Sequence, residues 1–186
     1  MGIIFSVITL KIRLPVGMRT IKTALCVLIC LLIYKLFYYL DVRYSENIIV
    51  SFIHDYLFGT SPSFACIAAV ICMQDTIENS VKFGISRIIG SVLGGVTSVI
   101  LSLINSEVFS SRGDIFFCVF GVIFLIWLCN AIGKKEASSI SVITFLLIII
   151  GIDFAKPLVA AVNRTSGTTL GAAIAIIINR TIKKPE

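Results

Sequence analysis

The chain has 186 residues, of which 58% are hydrophobic and 14% charged, and its formal net charge at pH 7 is +6. Soluble domains average about 25% charged residues, and one core of this size cannot bury so much apolar surface. These proportions exclude a soluble enzyme, a nucleic-acid-binding module and a disordered chain. They predict an all-α, multi-pass protein of the cell membrane whose solvent is the lipid bilayer.

Six apolar segments are predicted to form membrane-crossing helices, each of which needs about 20 residues. The second is the weakest, because it reaches full length only if Leu57–Ser63 joins it. Residues 1–14 and the outer loop 41–61 have the spacing of short helices that lie in the membrane interface. The sequence thus predicts a single transmembrane domain over residues 1–186, without a cytosolic domain. The segments are Thr20–Leu40, Pro62–Met73, Ile77–Ile104, Ile115–Gly133, Ala137–Ile152 and Pro157–Ile182.

Lysine and arginine side chains fall mainly on one side of these segments, with eleven on that side and three on the other. Because basic loops are retained in the cytoplasm, both termini are predicted to be cytoplasmic. Placing Arg87 inside the membrane changes the ratio only to ten against three. The eleven are Lys11, Arg13, Arg19, Lys22, Lys82, Arg87, Lys134, Lys135, Arg180, Lys183 and Lys184, and the three are Arg43, Arg112 and Lys156.

An internal repeat relates the third and sixth segments. Residues 84–95 read GISRIIGSVLGG and residues 161–172 read AVNRTSGTTLGA, so both contain Arg-x-x-Gly-(Ser/Thr)-x-Leu-Gly at a constant offset of 77. Each motif lies in the third helix of a three-helix set. Because three is odd, the second set must enter the membrane from the opposite side. This predicts two inverted three-helix repeats, which are common in transporters; the alternative is a chance resemblance between two glycine-rich helices.

Each motif carries an arginine inside its segment, Arg87 in the third and Arg164 in the sixth. An arginine at the bilayer centre costs about 2.5–3.5 kcal/mol on insertion scales. The functional interpretation is that both arginines face a water-filled path and bind an organic anion, because a guanidinium matches the geometry of a carboxylate. The alternative is that each reaches the lipid headgroups or caps the end of a neighbouring helix.

Polar neighbours extend this candidate anion site. Ser91 and Thr168 lie one turn beyond the arginines, where their hydroxyls are predicted to donate hydrogen bonds to a ligand. Asn163 is predicted to orient the neighbouring guanidinium. Asp75 and Asp153 each lie just before a third-helix start, where they either cap the helix or carry a coupling proton.

Glycines at four-residue spacing have a structural explanation. Small residues four apart allow membrane helices to approach closely. Helix packing is therefore the better interpretation of Gly90, Gly94, Gly167 and Gly171.

No cofactor or metal site is predicted. The chain has one histidine and six cysteines, and it contains no Walker motif, no GxGxxG and no metal-ligand spacing. The cysteines are interpreted as small apolar packing residues. The chain is therefore not expected to be an enzyme.

Three stretches resemble a known family. They read GMRTIKTALCVLICLLIY, SFACIAAVICMQDTIENSVKFGISRIIGSVLGG and AAVNRTSGTTLGAAIAIIINR. Together they resemble the membrane domain of the aromatic acid exporter family, in the fusaric acid resistance (FUSC) superfamily. The resemblance implies six helices per domain and proton-driven export of aromatic or other organic acids. It also implies kinship with dimeric plant anion channels, whose pore arginines would correspond to Arg87 and Arg164.

The leading hypothesis is therefore a secondary transporter that exports organic carboxylates. A passive anion channel on the same fold and a non-transporting membrane scaffold subunit are the alternatives. The expected partners are the lipid bilayer, a small organic anion and a second copy of the chain, with no nucleic acid. Many members of the family carry a cytosolic domain after the sixth helix, whereas this sequence ends at Glu186.

Overall fold

The computed structural model of the protein describes residues 17–43, 62–108, 114–150 and 157–182. Within these ranges the chain forms six α-helices, with a 3-10 turn at Lys135–Ala137. The predicted interfacial helix at residues 1–14 and nearly all of the outer loop lie outside the described residues. The helices are α1 (Met18–Arg43), α2 (Ser63–Cys72), α3 (Ile77–Val108), α4 (Asp114–Ala131), α5 (Ser138–Ile149) and α6 (Pro157–Thr181).

Local sequence signals explain where several helices begin and end. The Thr76 hydroxyl accepts a hydrogen bond from the third backbone amide of α3 (3.2 Å), as an N-cap does. Pro157 occupies the first position of α6, where its fixed φ suits a helix and its missing N–H costs nothing. Gly133 follows α4 with a φ of 73°, while the Lys134 amide donates to the Cys129 carbonyl at 2.9 Å. This pattern is a Schellman ending, which favours glycine.

The helices differ in length. Among the described residues, Met18–Arg43 and Ile77–Ile104 are long and apolar enough to cross a membrane. The second helix of each three-helix set is short: α2 has 10 residues and α5 has 12. At 1.5 Å per residue they span about 15 and 18 Å, well under the ~30 Å hydrocarbon core. Two of the six predicted membrane-crossing segments therefore meet the length and composition criterion.

The two longest helices of the motif regions, α3 and α6, cross in opposite directions. A Cβ atom at Gly84 would lie 3.5 Å from the Ala172 Cβ, and one at Gly95 would lie 3.1 Å from the Ala161 Cβ. The earlier residue of α3 contacts the later residue of α6 and the later one contacts the earlier, so the two helices are antiparallel. Between these two contacts, the Ser91 hydroxyl donates to the Thr168 hydroxyl.

The paired glycines pack against the short helices. A Cβ atom at Gly94 would overlap the Ser141 carbonyl oxygen of α5, and one at Gly171 would overlap the Ala65 carbonyl oxygen of α2. Close packing of these glycines agrees with the prediction from their spacing. The α3–α6 crossing uses other small residues of α3, Gly84 and Gly95.

The other two motif glycines behave similarly. A Cβ atom at Gly90 would lie 2.7 Å from the Ala137 carbonyl oxygen, and one at Gly167 would lie 3.3 Å from both the Phe64 Cβ and the Tyr34 hydroxyl. Together the four glycines show that α3 runs parallel to α5 and that α6 runs parallel to α2.

Further contacts fix the direction of the outer helices. Lys22 meets Asn179 in a hydrogen bond, so the start of α1 lies beside the end of α6. The Cys129 thiol lies 3.4 Å from the Ser141 hydroxyl, so the end of α4 lies beside the start of α5. Helices α1, α3 and α5 therefore run one way and α2, α4 and α6 the other. The starts of α1, α3 and α5 and the ends of α2, α4 and α6 therefore lie at the same end of the bundle. We call it the basic end.

Buried apolar side chains of the described residues form three clusters, the smallest of which contains Ile148, Ala160 and Ala161 between α5 and α6. The largest cluster lies between α1, α2 and α6 and includes Cys26, Cys30 and Met73, all fully buried. The second lies between α3, α4 and α5 around Leu125 and Phe145. The six cysteines all lie within the described residues and form no disulfides, and four of them are buried. This placement agrees with their interpretation as packing residues.

Glycine substitutions test the close helix contacts. We expect Gly94→Ala and Gly171→Ala to lower the unfolding temperature in detergent, because the added methyl group must displace a backbone carbonyl at a cost of about 1–3 kcal/mol. The matched control is Gly84→Ala, whose methyl group meets the flexible end of Ile176 at 3.2 Å. If all three variants melted alike, close backbone packing at Gly94 and Gly171 would be refuted.

Candidate functional site at the helix crossing

The two motif arginines lie on opposite sides of the α3–α6 contact. Arg87 is the eleventh residue of α3 and Arg164 the eighth of α6, and each precedes its hydroxyl residue, Ser91 or Thr168, by four positions. Because the helices are antiparallel and meet at these hydroxyls, each arginine lies about 6 Å from the contact along the helix axis. The two guanidinium-bearing positions are thus separated by roughly 12 Å along the bundle.

Arg164 is 7% exposed and contacts two neutral groups. Its Nη2 donates to the Leu147 carbonyl oxygen, 3.3 Å away in the last turn of α5. Its guanidinium carbon lies 4.3 Å from the centre of the Phe64 ring, within the range of a cation–π interaction. Since the last carbonyls of a helix lack partners within that helix, the first contact is the helix-capping role that the sequence left as an alternative.

Arg87 is half-buried and lies near the end of the other short helix. Cys72 is the last residue of α2, and its thiol is close enough to the Arg87 guanidinium for an electrostatic interaction. The Nε of Arg87 is buried and has no hydrogen-bond partner among the described residues. Both arginines therefore lie beside the C-terminal end of a short helix, where the helix dipole favours a cation.

The structure describes the three polar neighbours that were predicted to extend the arginine site. Ser91 and Thr168 are 2% and 4% exposed, and their hydroxyl oxygens are 3.4 Å apart. This distance is long for an O–H···O hydrogen bond, so the contact is weak. In the part of the chain that the structure describes, the buried Asn163 Oδ1 has no hydrogen-bond partner. This oxygen therefore does not hold the neighbouring guanidinium.

The two candidate proton carriers lie away from this crossing or outside the described residues. The Asp75 carboxylate is 68% exposed at the basic end and lies 3.6 Å from Nη1 of Arg19. It does not cap α3, because Thr76 does so. Asp153 falls outside the described residues.

Lys22 shows what the sequence analysis missed. It was counted among the basic residues on the cytoplasmic side of the segments, whereas its side chain is buried within α1 and only 7% exposed. Its four-residue spacing with Cys26, Cys30 and Tyr34 matches the buried stripe of that helix and was a usable signal. The contact of Phe64 with Arg164 had no such signal, because it joins residues one hundred positions apart.

Comparison with known proteins was made for the whole chain. The sequence profile described as fusaric acid resistance protein-like matches residues 44–178, more than two thirds of the chain. The match contains α2, α3, α4, α5 and nearly all of α6, including both arginines, and it confirms the predicted resemblance. No curated protein and no solved structure gives a significant match.

A disulfide cross-link tests the geometry of the crossing. We expect the double variant Ser91→Cys/Thr168→Cys to form a 91–168 disulfide under mild oxidation, because the two side-chain oxygens are already 3.4 Å apart. Peptide mapping by mass spectrometry identifies the linked residues. The control, Val92→Cys/Thr169→Cys, moves both thiols one residue onto exposed faces and should not cross-link. Equal cross-linking in both variants would contradict the register.

Proposed function

Since the chain belongs to the fusaric acid resistance protein-like family, we propose that it is a multi-pass protein of the cell membrane that transports organic anions. The family supports membrane transport as the general activity. We infer that the substrates are aromatic or other carboxylic acids and that the transport is export by a secondary transporter. One observation carries the anion: the guanidinium of Arg164 is buried inside the bundle, beside the Phe64 ring and the Leu147 carbonyl.

The arginines are proposed to bind the carboxylate in turn. A guanidinium buried in a membrane protein offers a positive charge and N–H donors in a low-dielectric setting, and both attract an anion. Arg87 adds a buried Nε with unused hydrogen-bonding capacity. With a separation of about 12 Å along the helices, the arginines suit successive binding better than one shared clamp. Ser91 and Thr168 are proposed to contact the substrate between them.

The same proposal includes two inverted three-helix repeats. Its support is that Ser91 and Thr168, equivalent residues of the repeat, meet each other 77 positions apart. Residues on a two-fold axis contact their own counterparts. The Gly84–Ala172 and Ala161–Gly95 contacts are related by the same offset. Helix directions alternate as up-down-up and then down-up-down, as such an arrangement requires.

The basic end is proposed to face the cytoplasm. Lys22, Lys82, Lys134, Lys135 and Arg180 all lie there, and basic residues are retained on the cytoplasmic side. Both termini would then be cytoplasmic. The proposed homodimer rests on the small size of the chain and on an apolar groove of about 430 Å³ between α3 and α6.

A passive anion channel is the second candidate. The exposure of Asp75 and its ion pair with Arg19 favour it, because a proton carrier for coupled transport is expected within the path. Both candidates use the same arginines.

Charge reversal tests the role of the arginines. We expect Arg87→Glu to reduce benzoate flux into proteoliposomes at least tenfold, because a carboxylate there repels the substrate in a low-dielectric path. The matched control, Lys82→Glu, changes net charge equally at an exposed side chain that pairs with Glu136. Equal loss or unchanged flux in both variants would refute a specific role for Arg87, and a wild-type protein that gives no flux above protein-free liposomes would favour a scaffold subunit.

Electrical recording separates the exporter from the channel. In a planar bilayer with a benzoate gradient, an exporter should give no single-channel steps, and vesicle uptake should depend on a pH gradient. Anion-selective steps without pH dependence would overturn the exporter and support the channel, because a channel conducts without a coupled proton.

A further inference from the structure

The basic end of the bundle contains a polar cavity that lies away from the α3–α6 crossing. Its volume is about 300 Å³, and it lies where the starts of α1 and α3 meet the end of α6. The Ser80 hydroxyl bonds to Asn179, which lines this cavity. Ser80 precedes Arg87 by seven residues, so the cavity lies about 10 Å from Arg87 along α3. The polar residues that line the cavity are Arg19, Lys22, Gln74, Asp75, Thr76 and Asn179.

Lys22 brings a buried charge to this cavity. It is 7% exposed, and its Nζ donates to the Asn179 side-chain oxygen at 3.0 Å. An ammonium group has three N–H donors, so this bond uses one of them. Among the described residues, the Lys22 ammonium has no carboxylate partner. A buried charge next to a neutral amide remains uncompensated, and this favours a bound anion.

Asn179 holds the lysine in place without neutralising it. The two N–H groups of its Nδ2 are shared among three acceptors, the Gln74 carbonyl (3.0 Å), the Thr76 carbonyl (3.3 Å) and the Ser80 hydroxyl (2.9 Å). These contacts fix the amide with its oxygen towards Lys22. The Ser80 hydroxyl also accepts from the Gln74 amide at 3.1 Å. These hydrogen bonds connect the turn between α2 and α3 to the end of α6, so the residues that form this side of the cavity are held in fixed positions.

A second cation lines the same cavity. Arg19 pairs with Asp75 at 3.6 Å, and their side chains are 51% and 68% exposed. An exposed pair of this kind is weak, so Arg19 is readily shared with another anion. Two cations face one carboxylate, which leaves one positive charge in excess.

We propose that this cavity is a second anion-binding site, distinct from the arginines of the crossing, that takes a carboxylate or phosphate group. Lys22 supplies the buried charge and Arg19 the exposed one. The anion is either a free organic acid or the headgroup of an anionic phospholipid, since both present oxygen acceptors to N–H donors. This site goes beyond the proposed transport function and does not depend on it.

Binding measurements on the purified full-length protein test the site. We expect Lys22→Met to weaken benzoate binding, measured by calorimetry, about tenfold or more, because a charged hydrogen bond is lost. The matched control, Lys82→Met, removes the same charge from an exposed residue and should bind as the wild type does.

A variant that is expected to bind benzoate more tightly keeps the proposal testable if Lys22→Met does not fold. We expect Asp75→Asn to strengthen binding about two- to fivefold, because Asp75 competes with the ligand for Arg19. Weaker binding by this variant would overturn the proposal, even if Lys22→Met did not fold. A purely structural Lys22 predicts no gain in Asp75→Asn.

Two further arms separate the possible ligands and the two sites. Native mass spectrometry compares retention of phosphatidylglycerol with that of phosphatidylcholine. Lys22-dependent retention of phosphatidylglycerol alone identifies a headgroup site, and Lys22-dependent benzoate binding identifies a free-acid site. Benzoate binding that survives the double variant Arg87→Gln/Arg164→Gln belongs to this site, so failure of the proposed transport function leaves it intact. If neither ligand depends on Lys22, the proposal is wrong.

Discussion

Direct backbone contact between long and short helices is the constraint on which the rest of this structure depends. Gly94 lies against the Ser141 carbonyl and Gly171 against the Ala65 carbonyl, so α3 and α6 lie as close to α5 and α2 as helices can. Without side chains between them, the long helices reach the middle of the bundle and cross there. Small residues provide this approach where the bilayer supplies no hydrophobic force between helices.

The short helices explain how the bundle accommodates arginines. Arg164 donates to the Leu147 carbonyl, and Arg87 lies beside Cys72, so each arginine lies at the end of a helix too short to cross the bilayer. Helix ends carry unpaired carbonyls and a partial negative charge, which offset part of the ~3 kcal/mol cost of arginine insertion. Short segments at corresponding positions of two halves also indicate a binding site in transporters.

Helix positions were predictable because apolar runs, Pro157 and Gly133 mark them in the sequence. The pairing of Ser91 with Thr168 as repeat equivalents was predictable, but their contact was not predicted, since both hydroxyls were expected to donate to a ligand. The position of Lys22 was not predictable, because a lysine near a helix start normally faces water and its burial depends on Asn179, 157 positions away. Hydropathy averages over a segment and does not show which face turns inward; contacts between distant residues settle that.

The two arginine environments are not equal, and the difference bears on how a transporter of this kind would work. Ala65 and Ser141 are 76 positions apart, and so are Ile71 and Leu147. Yet the Leu147 carbonyl accepts from Arg164, whereas the Ile71 carbonyl accepts from Gln74 at 2.8 Å. Inverted repeats change access when the halves exchange conformations. If the proposed transporter works in this way, Gln74 releases Ile71 before Arg87 takes its place, at a cost of about 1 kcal/mol for one hydrogen bond. That cost is small enough for binding of a single anion to decide which arginine holds a helix end.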